Sequence, residues 1–232
     1  MVRGMDRLRA HWTGRSKALT LLLALTMAGA MALKMREGSR GAEAMLDNVV
    51  VIEEANGRLY GAGFVMQGGG YVLTVNHVIE DMVKGHRPIW IRYRDGYRVQ
   101  AGLVKRNRHF DIALLILPNR HVRGLEIMRD SYAHVGDPVY AIGHPYGIVW
   151  MMTEGIVSKK SYFPPDENGE SFVIWTSAWI EGGDSGGPLV TKSGKVIGLI
   201  QAFINPRGTQ LGAQHLNICV SSSEIMRFLE AD

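Results

Sequence analysis

Short runs of apolar and β-branched residues, interrupted by turn-forming residues, make up most of the chain from Asn48 onward. Gln67–Gly70 and Asp95-Gly96 separate pairs of such runs, which is the pattern of strands joined by tight hairpins. We therefore predict about a dozen short strands in this region. The predicted strands are 49–52, 61–66, 71–75, 89–94, 97–104, 112–117, 135–142, 155–159, 172–176, 188–190, 196–202 and 216–220.

Helical periodicity is rare in this region, and its clearest example is the C-terminus. Ser221, with Glu224 three residues later, matches a capping box. Ile225, Phe228 and Leu229 would then share one apolar face of a helix over residues 222–230. Many short strands followed by one helix predict an all-β fold, built as barrels or as a sandwich.

The N-terminal residues have the layout of an export signal. The apolar run 18–33 follows a basic stretch that ends at Lys17, and Ala28-Gly29-Ala30 matches the small-residue pattern of a cleavage site. The run is shorter than the roughly 20 residues that span a bilayer. A signal peptide cleaved after Ala30 and an uncleaved anchor to the inner membrane both stay open, with a buried core helix as the third alternative. Either of the first two would place the rest of the chain in the periplasm or outside the cell.

The net charge of +4 is unevenly distributed along the chain. Residues 1–40 carry eight basic and two acidic residues, a local balance of +6, so the rest of the chain carries −2. The basic character therefore concerns export and membrane orientation. The polar residues 34–46 predict a linker, and residues 47–232 predict one folded domain.

A second basic segment, residues 84–108, contains Trp90, Tyr93 and Tyr97 among its Lys and Arg residues, as nucleic-acid surfaces do. Its charges alternate with apolar residues around a hairpin, which favours the solvated face of two strands. We expect no nucleic-acid partner, and attraction to anionic lipid is a third alternative.

The chain has a single cysteine, Cys219, which excludes an intramolecular disulfide and any zinc site of several cysteines. Because Cys219 lies in a predicted strand, we expect it to be buried and to act as a small hydrophobic residue. Since no cluster of His, Cys and Asp has the spacing of metal ligands, we predict no metal and no cofactor.

The most specific segment for chemistry is Glu181–Leu189, in which four glycines surround Ser185. Such a run allows backbone conformations closed to other residues, so that two N–H groups can converge on one point. Serine needs a base to act as a nucleophile. His77, which we predict at the end of the apolar strand that begins at Tyr71, is the candidate, with a structural histidine as the alternative.

A histidine base needs a carboxylate that fixes its tautomer, and Asp111 is the candidate. It begins the apolar run Ile112–Leu117, where an unpaired carboxylate is costly to bury. The alternative is a turn residue at the start of a strand. Gly183-x-Ser185-x-Gly187 also matches the nucleophile elbow of α/β hydrolases, but no acid lies between Ser185 and His215, so that fold is excluded.

Several segments in this order and spacing together resemble one family. They include Gly61–Phe64, Asn76–Ile79, Asp111–Leu115, Glu154–Ser158 and Gly183–Leu189. From about residue 48 to 230 the chain resembles the trypsin-like serine proteases and is most similar to the HtrA/Deg proteases. The resemblance implies two six-stranded antiparallel β-barrels, about 47–125 and 130–221, with the active site in the cleft between them.

The resemblance also implies a role for each candidate in a serine endopeptidase. His77 would be the general base, Asp111 its orienting carboxylate and Ser185 the nucleophile. The backbone N–H groups of the segment Gly183, Asp184 and Ser185 would form the oxyanion hole. The implied partners are protein or peptide substrates, in protein quality control or regulated proteolysis, while oligomerisation stays open. A catalytically inactive binding module on the same fold is the alternative.

The chain departs from the family pattern beside the nucleophile. Asp184 stands where HtrA proteases have Asn, and its partner is left open. His144 replaces another Asn, as a loop residue or as a substrate contact. The resemblance places Trp179 at the base of the specificity pocket, which predicts cleavage after small or aliphatic residues unless its ring turns into the core. The candidate pocket residues are Trp179, Glu181, Ile200, Gln201 and Ala202.

Overall fold

The computed structural model describes residues 20, 22–32, 41–129, 132–162, 172–204 and 216–231. The chain divides into two units, residues 1–43 and 44–232. In the first unit residues 22–32 form a helix with exposed side chains. Within the described ranges, no helix is long and apolar enough to cross a membrane. Most of the predicted linker and the basic part of the leader lie outside the described residues, although 41–46 are helical.

The first half of the second unit is a closed, antiparallel six-stranded barrel. Around the barrel the strands follow the order β1-β2-β3-β6-β5-β4. Their bounds are β1 Val49–Glu53, β2 Leu59–Val65, β3 Tyr71–Thr74, β4 Ile89–Arg92, β5 Arg98–Asn107 and β6 Ile112–Ile116. Closure leaves neither edge of the sheet unpaired, so the apolar runs that predicted these strands can bury their inward side chains.

The second half repeats this architecture with the order β10-β11-β12-β9-β8-β7, again closed and antiparallel. The bounds are β7 Pro138–Gly143, β8 Met151–Tyr162, β9 Phe172–Thr176, β10 Pro188–Thr191, β11 Val196–Ile204 and β12 Leu216–Ser221. The predicted all-β fold of two barrels is confirmed, and the sandwich alternative is wrong. Strand β8 begins four residues before its predicted start at Gly155. Cys219 is fully buried in β12.

The chain ends in a helix, Ser222–Glu230, that begins at the predicted cap. The Ser221 hydroxyl accepts a hydrogen bond from the Glu224 backbone N–H at 3.3 Å. Ile225 and Phe228 are buried in the cluster that also contains the core of the first barrel. The same cluster contains residues of β10 and β11, and the helix packs mainly against β11 and β12. The helix is therefore part of a core shared by the two barrels.

A second helix, Asn76–Lys84, directly follows β3 and was not predicted from the sequence. Strand β3 ends at Thr74, and Val75 caps the helix in an extended conformation. The helix buries Val78, Ile79 and Met82 along one face, which matches helical spacing. The prediction of His77 at the end of a strand was wrong in this respect, because Val78 and Ile79 are an apolar pair that also suits a continuing strand.

Candidate active site

His77 lies in the first turn of the helix Asn76–Lys84 and is held by Asp111 at two points. Its Nδ1 lies 2.6 Å from Asp111 Oδ2, and its backbone N–H donates to Asp111 Oδ1 at 2.8 Å. Because a carboxylate only accepts hydrogen bonds, Nδ1 carries the proton and Nε2 keeps its lone pair. The His77 side chain is 48% exposed, so this nitrogen can meet a ligand from solution.

Asp111 lies in a turn at the start of a strand, as one of the two interpretations predicted, and it also contacts His77. It directly precedes β6 and has a φ of 52°, a left-handed conformation that few residues other than Gly, Asn and Asp adopt. Upstream, the Asn107 side chain accepts the N–H groups of His109 and Phe110. The Asp111 carbonyl also accepts the Asn76 N–H at 3.2 Å. The turn therefore fixes the carboxylate against the start of the helix.

Ser185 lies just before β10 and touches the first barrel through its backbone. Its carbonyl accepts the Ala62 N–H at 2.8 Å, and its hydroxyl donates to the Gln201 carbonyl at 3.3 Å. A Cβ on Gly61 would lie 2.6 Å from a methyl of Val78 and 2.8 Å from the Ser185 carbonyl oxygen. Gly61 thus allows the His77 helix and the Ser185 loop to approach each other closely.

Two N–H groups of the Ser185 loop are available to a ligand. Among the described residues, the N–H groups of Gly183 and Ser185 meet no acceptor, whereas the Asp184 N–H donates to the Glu181 carbonyl at 3.0 Å. Asp184 is therefore removed from the predicted oxyanion donors, because its N–H is already used. Gly183 has a φ of 109° and no room for a Cβ, which would clash with the His144 carbonyl oxygen.

The structure supplies partners for Asp184, whose side chain is 4% exposed. Its Oδ2 accepts the Glu181 N–H at 2.9 Å, and the His144 backbone also donates to the carboxylate. Burial raises the pKa of Asp184 from 3.8 to about 6, against these two hydrogen bonds and with the help of the Glu181 charge. Among the described residues, no cation forms an ion pair with Asp184.

Of the predicted pocket residues, Trp179 and Glu181 lie beside the Ser185 loop. Trp179 is 42% exposed, which excludes the interpretation as a core residue. Glu181 is buried, and Gln201 is partly buried. Ile200 is fully buried in the core of the second barrel, so it does not line an open pocket. The side chain of Ala202 lies outside the described residues.

His144 and Tyr146 lie in the loop after β7, which contacts the Ser185 loop. His144 is fully buried, its Nδ1 accepts the Trp150 N–H at 3.0 Å, and burial lowers its pKa to about 4, so it is a neutral loop residue. Sequence reasoning missed Tyr146, whose ring centroid lies 6.2 Å from that of Trp179 and whose N–H donates to the Gly182 carbonyl. The only signal for it was its turn segment Pro145-Tyr146-Gly147.

Relatives of known sequence are described as serine endoproteases. A probable periplasmic serine endoprotease, DegP-like, from Hahella chejuensis is 36% identical over 152 residues, which are 66% of this chain and 31% of that protein. The similarly described protein of Chlamydia pneumoniae is 32% identical over 152 residues, 66% of this chain and 30% of its own. This chain thus matches about a third of the length of these relatives.

Solved structures with the same fold include an HtrA-type protease, AlgW, with tripeptide. It has a TM-score of 0.72 and 26% identity, and the match covers 83% of this chain and 62% of that one. The serine endoprotease from Yersinia pestis has a TM-score of 0.68 and 25% identity, covering 83% and 65%. The resemblance to HtrA/Deg proteases is therefore confirmed.

A family model described as a trypsin-like peptidase domain matches residues 61–199. The match spans more than half of the chain and includes His77, Asp111 and Ser185. Together with the two closed barrels and the DegP-like relatives, it decides the family. The chain belongs to the family of trypsin-like peptidases, and the relatives that it resembles are described as DegP-like serine endoproteases.

Proposed function

We propose that this chain is a serine endopeptidase that cleaves proteins or peptides through an acyl-enzyme, with His77, Asp111 and Ser185 as its triad. The observation that carries the proposal is the two-point hold of His77 by Asp111, at 2.6 Å and 2.8 Å. It fixes the ring and its tautomer, which leaves Nε2 as the base. A carboxylate in this position also stabilises the imidazolium that forms when the base takes a proton.

The reaction begins with a rotation of the Ser185 side chain. Its hydroxyl now donates to the Gln201 carbonyl at the long distance of 3.3 Å, a weak hydrogen bond that costs little to break. After rotation, the oxygen attacks the substrate carbonyl while His77 Nε2 takes its proton. The same proton then passes to the leaving amine, and water hydrolyses the acyl-enzyme by the reverse sequence of transfers.

The N–H groups of Gly183 and Ser185 stabilise the negative oxygen of the tetrahedral intermediate. Among the described residues neither meets an acceptor, so both can donate without first breaking another hydrogen bond. Preorganised donors of this kind lower the barrier because they need no reorientation when charge develops. Loss of one such donor typically costs roughly 10²–10³-fold in kcat.

The substrate residue before the cleaved bond is proposed to be small or aliphatic. Trp179 is apolar and exposed beside the loop, and both carboxylates of that loop, Glu181 and Asp184, are buried. Neither is placed to pair with Lys or Arg of a substrate. A peptide-library cleavage profile dominated by Lys and Arg would contradict this specificity.

The proposed location is the periplasm or the cell exterior, with residues 18–33 as a cleaved signal or an anchor to the inner membrane. The basic and apolar leader and the periplasmic description of the relatives support it. The N-terminus of the protein isolated from cells separates the two forms. A start at Met31 supports cleavage, Met1 or Val2 supports the anchor, and recovery only from the cytosol contradicts export.

The activity itself is tested by incubating an unfolded protein substrate with the wild type and with Ser185→Ala and His77→Ala. We expect cleavage by the wild type alone. Melting temperatures close to that of the wild type would show that both variants are folded. A folded wild type that cleaves no unfolded protein and no library peptide would support the alternative of an inactive binding module.

A further inference from the structure

The loop after β7, residues 144–150, has a strained backbone. Tyr146 and Trp150 have φ angles of 53° and 57°, in the left-handed region that residues other than glycine rarely adopt. Such conformations persist only where surrounding contacts hold them, and they cluster at functional sites. The loop therefore depends on the contacts that fix its two ends.

The His144 side chain links these two ends. Its ring is fully buried, and its Nδ1 accepts the backbone N–H of Trp150, six residues further along the chain, at 3.0 Å. The two rings also pack edge to face, with centroids 5.5 Å apart. Because the hydrogen bond uses the lone pair of Nδ1, only the neutral ring can form it. Burial keeps the ring neutral, since it lowers the pKa of His144 to about 4.

The Trp150 side chain joins this loop to the first barrel. Its indole N–H donates to the Val49 carbonyl of β1 at 2.9 Å, and the Arg92 guanidinium of β4 lies 5.3 Å from the ring centroid. Arg92 is itself fixed by an ion pair with the buried carboxylate of Glu53, at 2.9 Å. A hydrogen bond and a cation–π contact thus connect the loop to two strands of the other barrel.

Other backbone groups of the loop contact the segment that presents the Gly183 N–H group. The Tyr146 N–H donates to the Gly182 carbonyl at 2.9 Å. The His144 carbonyl lies so close to Gly183 that a Cβ there would clash with it. The same carbonyl accepts the Gly147 N–H at 3.0 Å, so its direction is set within the loop. The position of Gly183 therefore depends on the shape of the loop after β7.

We propose that His144 and Trp150 are positioning residues of the oxyanion hole: the bond to His144 Nδ1 holds the strained loop in shape, the indole fixes it to the first barrel, and the loop places the Gly183 N–H group. His144 is fully buried, so it acts through the loop and not on the substrate. The inference rests on the proposed function, because an oxyanion hole matters only if Ser185 attacks a carbonyl.

The test compares His144→Leu with His144→Asn in kcat and KM for a library-derived peptide, measured on the full chain. Leucine fills the site but cannot accept the Trp150 N–H. The side-chain oxygen of asparagine is as many bonds from Cα as Nδ1 is, so it can accept this N–H. We expect kcat to fall roughly 10- to 100-fold in His144→Leu, less than for deletion of a donor, with KM nearly unchanged. His144→Asn should restore most of this loss.

A peptide trifluoromethyl ketone with the sequence of that substrate separates the oxyanion hole from other causes of a lower kcat. The Ser185 oxygen adds to the ketone, its proton passes to His77, and the ketone oxygen becomes an oxyanion. Its inhibition constant should therefore rise in His144→Leu by about the factor by which kcat/KM falls. An inhibition constant that stays at the wild-type value would overturn the inference.

Trp150→Phe tests the link to the first barrel, and Trp175→Phe is its matched control. Phenylalanine keeps an aromatic ring beside Arg92 but lacks the indole N–H. Trp175, on β9, also donates its indole N–H within the second barrel, to the Ser161 hydroxyl at 3.0 Å. Each substitution removes one hydrogen bond, so both should lower the stability in urea unfolding to a similar extent. Only Trp150→Phe should lower kcat, by roughly 3- to 10-fold.

Two other results would overturn the inference while the proposed function stands. One is full kcat in folded His144→Leu, and the other is an equal loss of kcat in Trp150→Phe and Trp175→Phe. If His144→Leu does not fold, the two tryptophan variants decide alone. A folded wild type without peptidase activity would remove the proposed function, and this inference with it.

Discussion

Asp184→Asn should make the protein more stable at neutral pH and leave its stability nearly unchanged in acid. The reason is the cost of an ionised carboxylate that is 4% exposed and has no described cation partner. The rise of its pKa from 3.8 to about 6 corresponds to about 3 kcal/mol, at about 1.4 kcal/mol per pH unit. Because the pKa is higher in the folded state, the contribution of Asp184 to stability is full below pH 3.8 and is lost as the pH rises through about 6.

Asparagine removes this titration and, like a protonated carboxyl, offers one acceptor oxygen beside a donor. The difference in unfolding free energy between variant and parent should therefore be small where Asp184 is already protonated in the folded state. We expect a gain of about 2–3 kcal/mol near pH 7.5, from the raised pKa, that shrinks to less than about 1 kcal/mol near pH 4.

The assay is urea unfolding followed by tryptophan fluorescence, at several pH values between about 4 and 7.5. Both proteins carry Ser185→Ala so that self-digestion cannot occur. Glu154→Gln, at an exposed carboxylate, is the control and should change stability by less than about 0.5 kcal/mol at every pH. If Asp184→Asn is destabilising at every pH, and most at pH 7.5, then Asp184 is ionised at no cost and the reasoning is refuted.

Three further substitutions test other parts of the structure. Asp111→Asn should lower kcat roughly 10⁴-fold with KM nearly unchanged, because it selects the wrong tautomer; steady-state kinetics against Asp95→Asn, which should be fully active, checks this. Gly61→Ala should cost about 1–3 kcal/mol, because its methyl meets Val78 and the loop backbone; a stable variant in urea unfolding would contradict this. Ser221→Ala should cost about 1 kcal/mol of stability through the lost cap, and unchanged unfolding would show that the cap contributes nothing.

Most of the fold follows from local patterns. The strands of both barrels coincide with apolar runs between turn residues, and the helix Ser222–Glu230 begins at the predicted cap Ser221. The helix Asn76–Lys84 could not be recognised, because its buried face contains only Val78, Ile79 and Met82 beside an asparagine. Three apolar residues over two turns do not distinguish a helix from the end of a strand.

The candidate site likewise has a part that the sequence predicts and a part that it does not. His77, Asp111 and Ser185 can be proposed from residue types and order, since each supplies what another lacks. The contact between the rings of Tyr146 and Trp179 could not be predicted, because it joins residues from separate loops whose approach is set by the closure of the second barrel. The spacing of residues along the sequence also does not reveal that the Asp184 N–H donates a hydrogen bond to the Glu181 carbonyl.

The central claim is that Ser185 is a nucleophile activated by His77, and covalent labelling tests it most directly. The folded wild type is treated with a fluorophosphonate probe, digested and mapped by mass spectrometry, in parallel with Ser185→Ala and His77→Ala. The account predicts one adduct per chain, on the peptide that contains Ser185, with none in Ser185→Ala and slow labelling in His77→Ala. An unlabelled wild type, or an adduct on another residue that persists in Ser185→Ala, would contradict it.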